Sequence, residues 1–491
     1  MELKLQTVPK KIGGIMNMKR IVAILFSVML VLSMFPATMG AKTATKDTYY
    51  SVVFNGNNIP ANFEKQLKSL GGEVVYSVPQ IGFVQVKAPS DSFLRLRGMS
   101  GVRAANHSMN WAVPESARIK ADVVNPADAA LWDLQWDIQR ITNNGASYEL
   151  GTGSHDVVVG IIDTGIDPTH PDLVKNLLPG SKNFVPAGGF RGLEPYENGD
   201  EDAFEDYHGH GTHVAGSIAG NGAMLGVAPD TGIRAYRVFG TSSAESAWIL
   251  SAMIAAADDG VDVISMSLGG FNIVGQVFYT DPETGKRYNL GNDVADLVAY
   301  QRAMEYVTKK GSLVVVAAGN DAVNGTNKKE VTDYLNYYYG GDGYSYVGAS
   351  FVVPASLPGV VTVAATGPND VLSVYSNYGP GFIDIATVGG DYRLWDQYDE
   401  EGRFDEYLEQ RLFETEFNLS ADFGGGYYWS VGTSMATPKV SAVAALLVDK
   451  YGKMSPKQLE DLLYKKGVES VRGKDKSYFG NGHLNAFNAL K

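Results

Sequence analysis

Between residues 156 and 320 the chain alternates Val- and Ile-rich runs with amphipathic stretches: DVVVGIID, HVAGSIAG, GIRAYRVFG, AWILSAMIAAADDG, VDVISMSLGG, VADLVAYQRAMEYVTKKG and SLVVVAAGN. Strands apolar on both faces and separated by helices belong to a mostly parallel sheet covered on both sides, so an α/β fold in three layers (α/β/α) is expected. In such sheets functional groups gather at the carboxyl ends of the strands. With 491 residues and 45% apolar content the chain can bury a large core. It has no cysteine, which excludes disulfides, thiolate metal sites and cysteine nucleophiles.

Two further units precede this region. Residues 1–41 run from a basic stretch ending in Lys19 and Arg20 through IVAILFSVMLVLSMF to Pro36 and small residues, the layout of a secretory signal peptide. The apolar run is shorter than the roughly 20 residues of a spanning helix, so a membrane anchor is the weaker reading. Met16 and Met18 are alternative starts to Met1. Residues 48–111 then read as strands at 49–54, 73–78, 82–87 and 101–106 with helices at 61–70 and 89–98, a small α+β unit. A polar connector and LWDLQWDIQRITNNGASYEL, helical in part, lead into the large region.

Charge is uneven. The net charge is -13, and beyond residue 112 the chain holds 28 basic and 49 acidic residues. So acidic a surface argues against nucleic acid or anionic membranes as partners. Three segments look like additions to the scaffold: 271–290, the Tyr- and Gly-rich 321–350, and 391–426 with 11 acidic and 3 basic residues.

Three element ends carry chemistry. Asp163 ends an apolar strand, where a carboxylate needs a partner or caps the next turn. His210 begins a helix rich in small residues; with His213 it could form a metal pair, but no Cys or HExxH pattern supplies further ligands. Ser434 stands at the start of a helix, where capping is the bland reading. Together, Asp, His and Ser at one sheet edge suit nucleophilic acyl transfer: imidazole takes the serine proton, and a buried carboxylate holds the imidazole. Asn320, at the end of SLVVVAAGN, is the candidate side-chain donor to an oxyanion, beside the Ser434 backbone N–H.

The pieces IIDTGIDPTHPDL, GHGTHVAGSIAG, GVAPD, VISMSLGG, VVVAAGN and GTSMATP, in that order, resemble the subtilisin-like serine proteases, or subtilases. The resemblance implies a secreted serine endopeptidase made as a self-processing precursor. Asp163 would be the orienting carboxylate, His210 the general base, Ser434 the nucleophile and Asn320 the oxyanion donor. Ser267, Leu268 and Gly269 would bind an extended peptide substrate, while His170, His213 and Met435 would be structural. His208, beside the motif, gets no role beyond surface.

Residues 42–115 resemble the family's inhibitory propeptide, a ferredoxin-like α+β domain, leaving 116–491 as the peptidase domain, closed by YFGNGHLNAFNALK with no further domain. Trp111 or a neighbour is the candidate cut site. The partners implied are protein or peptide substrates and the chain's own propeptide. The product would be an extracellular monomer, free of the membrane once the signal is removed.

Departures from the family bear on metals and specificity. Lys439 follows GTSMATP where many relatives have His, a change expected to be tolerated. Asp172 matches a calcium ligand of some relatives, yet SIAGNGAMLGVAPD is short where their calcium loop lies. No cofactor is required for the chemistry; structural calcium stays unassigned, and the acidic run ENGDEDAFED (197–206) reads more readily as a solvated loop. Asp321, next to Asn320, weakly suggests tolerance of basic side chains. Two rival functions stand beside the secreted endopeptidase: a dedicated leader- or precursor-processing protease, with the three insertions narrowing its cleft, and an inactive subtilase fold used for binding.

Overall fold

The computed structural model describes residues 47–114, 117–121, 129–241, 243–471 and 475–491. The signal peptide and alternative starts fall outside the described residues, as do residues 115 and 116 at the expected domain boundary.

The Val-rich runs form the centre of a nine-stranded sheet. Its order is Val468–Glu469, His483–Leu484, Ile385–Val388, Val360–Thr366, Leu313–Ala317, Val263–Met266, Val158–Asp163, Gly232–Arg237 and Lys182–Asn183. Every pairing is parallel except the first, between Val468–Glu469 and His483–Leu484. Side chains alternate between two cores, as the two-residue period of a strand requires. Val159, Ile161, Val263 and Val315 pack with the helices His210–Ala219 and Thr433–Tyr451. Val158, Ile162, Ile264 and Val314 pack with Ser246–Asp258 and Val294–Lys310.

The unit before it has a four-stranded antiparallel sheet in the order Glu73–Val78, Phe83–Pro89, Asp47–Phe54 and Val102–His107. Both faces are buried. Tyr50, Val52, Phe54, Val84 and Val86 form the unit's own core with Phe63 and Leu67, whereas Val53, Val78, Ile81 and Phe83 join the large domain's core. The expected helix at 89–98 is a 3-10 turn, Ser90–Ser92, followed by a short helix, Phe93–Arg97.

Two of the three insertions merge. The hairpin Gln276–Thr280/Arg287–Gly291 comes from the first and the strand Tyr344–Val347 from the second; they pair as one three-stranded sheet. The acidic insertion is not merely solvated: Trp395, Tyr407, Phe413 and Phe417 bury its apolar side in the main core.

Candidate active site

Asp163 ends its strand fully buried, and its Oδ1 accepts the Thr164 N–H at 2.7 Å. His210 Nδ1 lies 2.7 Å from the same oxygen. A carboxylate oxygen accepts, so in this contact Nδ1 is the donor. Among the described residues Nε2 has no hydrogen-bond partner. Asp206 fixes the start of the histidine helix: Oδ1 accepts the N–H groups of His208 and Gly209 at 2.8 Å each, and Oδ2 accepts the Thr212 N–H at 2.9 Å and its hydroxyl at 2.7 Å. This is capping supplied from within the acidic run, where a solvated loop is the expectation. Glu197 of the same run pairs with Arg237, 3.0 Å apart.

Ser434 stands in the first turn of the Thr433–Tyr451 helix, 6% exposed. Its Oγ donates to the Ser267 carbonyl at 3.1 Å, and Ser267 Oγ donates to the Ser434 carbonyl at 2.8 Å. Asn320 Oδ1 accepts from Thr433 N and Thr433 Oγ1 at 2.9 Å each, which fixes the amide orientation and leaves its NH2 group pointing the other way. Leu268 is buried in the core and Gly269 is exposed beside it.

Two short strands near the expected domain boundary pair with elements of the large domain. Asn110–Ala112 pairs antiparallel with Ser243–Glu245, and Trp111 is buried with Nε1 donating to Ser246 Oγ at 2.9 Å and its ring 5.4 Å from that of Tyr300. Farther on, Arg118–Lys120 pairs antiparallel with Tyr428–Ser430, the strand that runs into Ser434. The ladder made by Ser243–Glu245 is invisible in the sequence, because three mostly small residues before a helix carry no strand signal.

Three residues beside the motifs have surroundings that their sequence neighbours do not show. Lys439, expected to be tolerated, is fully buried, its Nζ lies 2.8 Å from Asp137 Oδ2, and it donates to the carbonyls of Met435 at 3.0 Å and Val388 at 3.1 Å. His208 is half-buried: among the described residues its Nδ1 has no partner, and its ring centroid is 6.5 Å from that of His210. Burial and the neighbouring His210 both hold the His208 pKa below its ordinary value. Asp321 likewise is no free charge: it accepts from Tyr334 Oη and Asn377 Nδ2 at 3.1 Å each, and burial raises its pKa.

His170, His213 and Met435 are fully buried; His170 Nε2 meets the Gly426 carbonyl at 2.9 Å and His213 Nε2 the Asn418 carbonyl at 3.3 Å. Burial, then the Lys439 charge, holds His213 well below its ordinary pKa, so it stays neutral.

The residues around Asp172 do not fit a cation. Asp172 accepts from the N–H groups of Ala223 and Met224 at 3.0 Å each and from Tyr427 Oη at 2.8 Å. A cation would face these donors' hydrogens. Gly222 permits the approach, since a Cβ there would stand 2.0 Å from Asp172 Oδ1. Gln135 closes the loop's other side, accepting from Leu225 N at 3.0 Å and donating to its carbonyl at 2.8 Å. Among the described residues no cluster of three or more His, Asp or Glu could hold a metal ion.

Residues 154–482 match the subtilase family. The epidermin leader peptide-processing serine protease EpiP of Staphylococcus epidermidis is 34% identical over 477 residues, 95% of this chain and 98% of that protein. The nisin leader peptide-processing serine protease NisP of Lactococcus lactis subsp. lactis is 36% identical over 72% of this chain and 49% of its own length. The crystal structure of EpiP from Staphylococcus aureus superposes with a TM-score of 0.77 at 34% identity, covering 91% of this chain and 98% of that one. Extent of match and identity agree, and the chain is a serine protease of the subtilase family.

Proposed function

We propose that this protease is a dedicated leader- or precursor-processing enzyme that matures by cutting itself. What carries the reading is the similarity to EpiP over 95% of the chain, well beyond the 154–482 that match the family. It favours the second of the sequence-based readings over an unspecialised endopeptidase. The apolar and basic stretch at the N-terminus supports export as the route to an extracellular precursor substrate.

Asp163 orients His210 through the 2.7 Å contact and stabilises the imidazolium that forms. His210 Nε2 takes the Ser434 Oγ proton as Oγ attacks the peptide carbonyl, then gives it to the leaving amine. For this step the serine hydroxyl turns from the Ser267 carbonyl toward His210. The tetrahedral oxyanion accepts from Asn320 Nδ2 and the Ser434 N–H at the helix start. Water then hydrolyses the acyl-enzyme, with His210 again as base.

Residues 42–115 act in this reading as an inhibitory, ferredoxin-like propeptide on a three-layer peptidase domain, 116–491. Its support is the strand order of the first unit, the apolar face it lends to the large domain's core, and the strands Asn110–Ala112 and Arg118–Lys120, which pair with Ser243–Glu245 and with Tyr428–Ser430. Arg302 of the large domain donates to three of its carbonyls, Phe54 at 2.8 Å, Ile81 at 2.9 Å and Gly56 at 3.0 Å.

The test compares hydrolysis of a lanthionine-type precursor peptide with that of denatured casein by the secreted, matured protein. A processing enzyme cuts the precursor at one bond and leaves casein nearly intact; broad casein digestion would return the reading to a general endopeptidase. Ser434→Ala should abolish both this cut and removal of the first unit.

A further inference from the structure

Arg118 occupies a site made for a guanidinium. One terminal nitrogen donates to the His208 carbonyl at 2.6 Å, and the other contacts Asp422, whose side chain is 4% exposed. The guanidinium carbon lies 4.1 Å from the Tyr428 ring centroid and 5.5 Å from that of Phe423. Gly209 leaves the space: a Cβ there would come within 2.8 Å of the Arg118 guanidinium and 2.7 Å of Asp422 Oδ1. A buried carboxylate, a carbonyl and two aromatic rings are the set that recognises the planar arginine fork and discriminates against lysine.

The position of this site relative to Ser434 gives it meaning. Trp111 of the Asn110–Ala112 strand stands against Gly270, three residues after the Ser267 that is bonded to Ser434, and Arg118 pairs opposite Ser430, four residues before Ser434. A chain laid across the nucleophile in this direction is cut between these two paired segments. Arg118 then belongs to the product half that carries the new N-terminus.

We propose that His208, Gly209, Asp422, Phe423 and Tyr428 form a substrate subsite for an arginine side chain on the C-terminal side of the cut bond, filled in the uncut precursor by Arg118. The proposal rests on the self-processing reading above. It extends that reading to a substrate class: peptides with arginine a few residues beyond the cleavage point.

The test uses the matured protein carrying Arg118→Gln, so that its own strand does not compete, and synthetic peptides of the sequence 106–124 with Arg, Lys or Gln at position 118. The expected kcat/KM is about tenfold or more higher for Arg than for Gln, with Lys between them, as for one charge-assisted pair. Adding Asp422→Asn should bring the Arg/Gln ratio to within about twofold. Phe423→Ala, on the partly exposed rim, should lower the ratio as well and covers the case of a misfolded Asp422 variant. Equal rates for Arg and Gln peptides, a ratio unchanged in both variants, or a new N-terminus beginning after Arg118 would each overturn the proposal. If the Ser434→Ala precursor still loses its first unit at the same bond, the self-processing reading itself falls, and the subsite with it.

Discussion

Lys439 and Asp137 form an ion pair 2.8 Å long in which neither side chain reaches solvent: 0% of the lysine and 1% of the aspartate are exposed. It ties the helix that begins with Thr433 and Ser434 to the short helix Trp136–Thr142 at the start of the large domain. Burial lowers the Lys439 pKa while Asp137 opposes the shift. Removing one partner leaves the other charged and buried, so Lys439→Met should cost about 3–5 kcal/mol in urea unfolding of the Ser434→Ala precursor. Asp137→Leu with Lys439→Met should recover most of that; no recovery in the double variant would show that packing, not charge pairing, is at stake.

Between the first unit and the large domain lies a pH-sensitive contact. Asp296 is fully buried, accepting from Ser51 Oγ at 3.0 Å and Asn106 Nδ2 at 2.5 Å, and burial pushes its pKa up to about 6. Glu245, beside Gln85 and paired with Arg191 at 3.0 Å, is pushed by burial up to about 7. Released into water, each returns toward the ordinary carboxylate value near 4. Association therefore takes up protons, and affinity should fall as pH rises from about 4 to 7 and level off above. In the proposed precursor reading, the inhibition constant of the first unit, measured across that range, should rise with pH, and Asp296→Asn should flatten the profile. A constant unaffected by pH would contradict the burial of these charges.

Because Asp172 is satisfied by N–H and O–H donors, calcium should not protect the Asn221–Leu225 loop from a probing protease, with or without chelator. Asp172→Ala leaves those donors unpaired and should lower stability by about 1–3 kcal/mol. Calcium-dependent protection confined to this loop would show that a cation displaces the donors.

For the oxyanion, Asn320→Ala should lower kcat by about 10²–10³-fold with little change in KM, a size already known for one such donor in this family. An equal loss carried in KM instead would assign Asn320 to ground-state binding.

The fold was legible because its centre is written locally. Runs such as VVVGIID and LVVVA are apolar throughout, which only strands buried on both faces require. Asp163, His210, Asn320 and Ser434 stood out for a related reason: each is a polar residue at the end of an apolar element or the start of a helix rich in small residues. The burial of Lys439 was not legible because its environment is assembled from distant segments. The ammonium's partner lies 302 positions away in the chain, and a sequence window holds no sign of it. The insertions 271–290 and 321–350 likewise form one sheet only once the chain has folded back on itself.

From sequence alone came the alternating strands and helices, the acidic surface, the absence of cysteine and the order of the chemically active residues. Each of these depends on residue type and near-neighbour periodicity. Tertiary structure alone decided which of the buried charges are paired, which backbone donors fill the Asp172 position, and which pocket receives Arg118. Those outcomes are set by electrostatics and hydrogen bonding between segments brought within a few ångströms by packing.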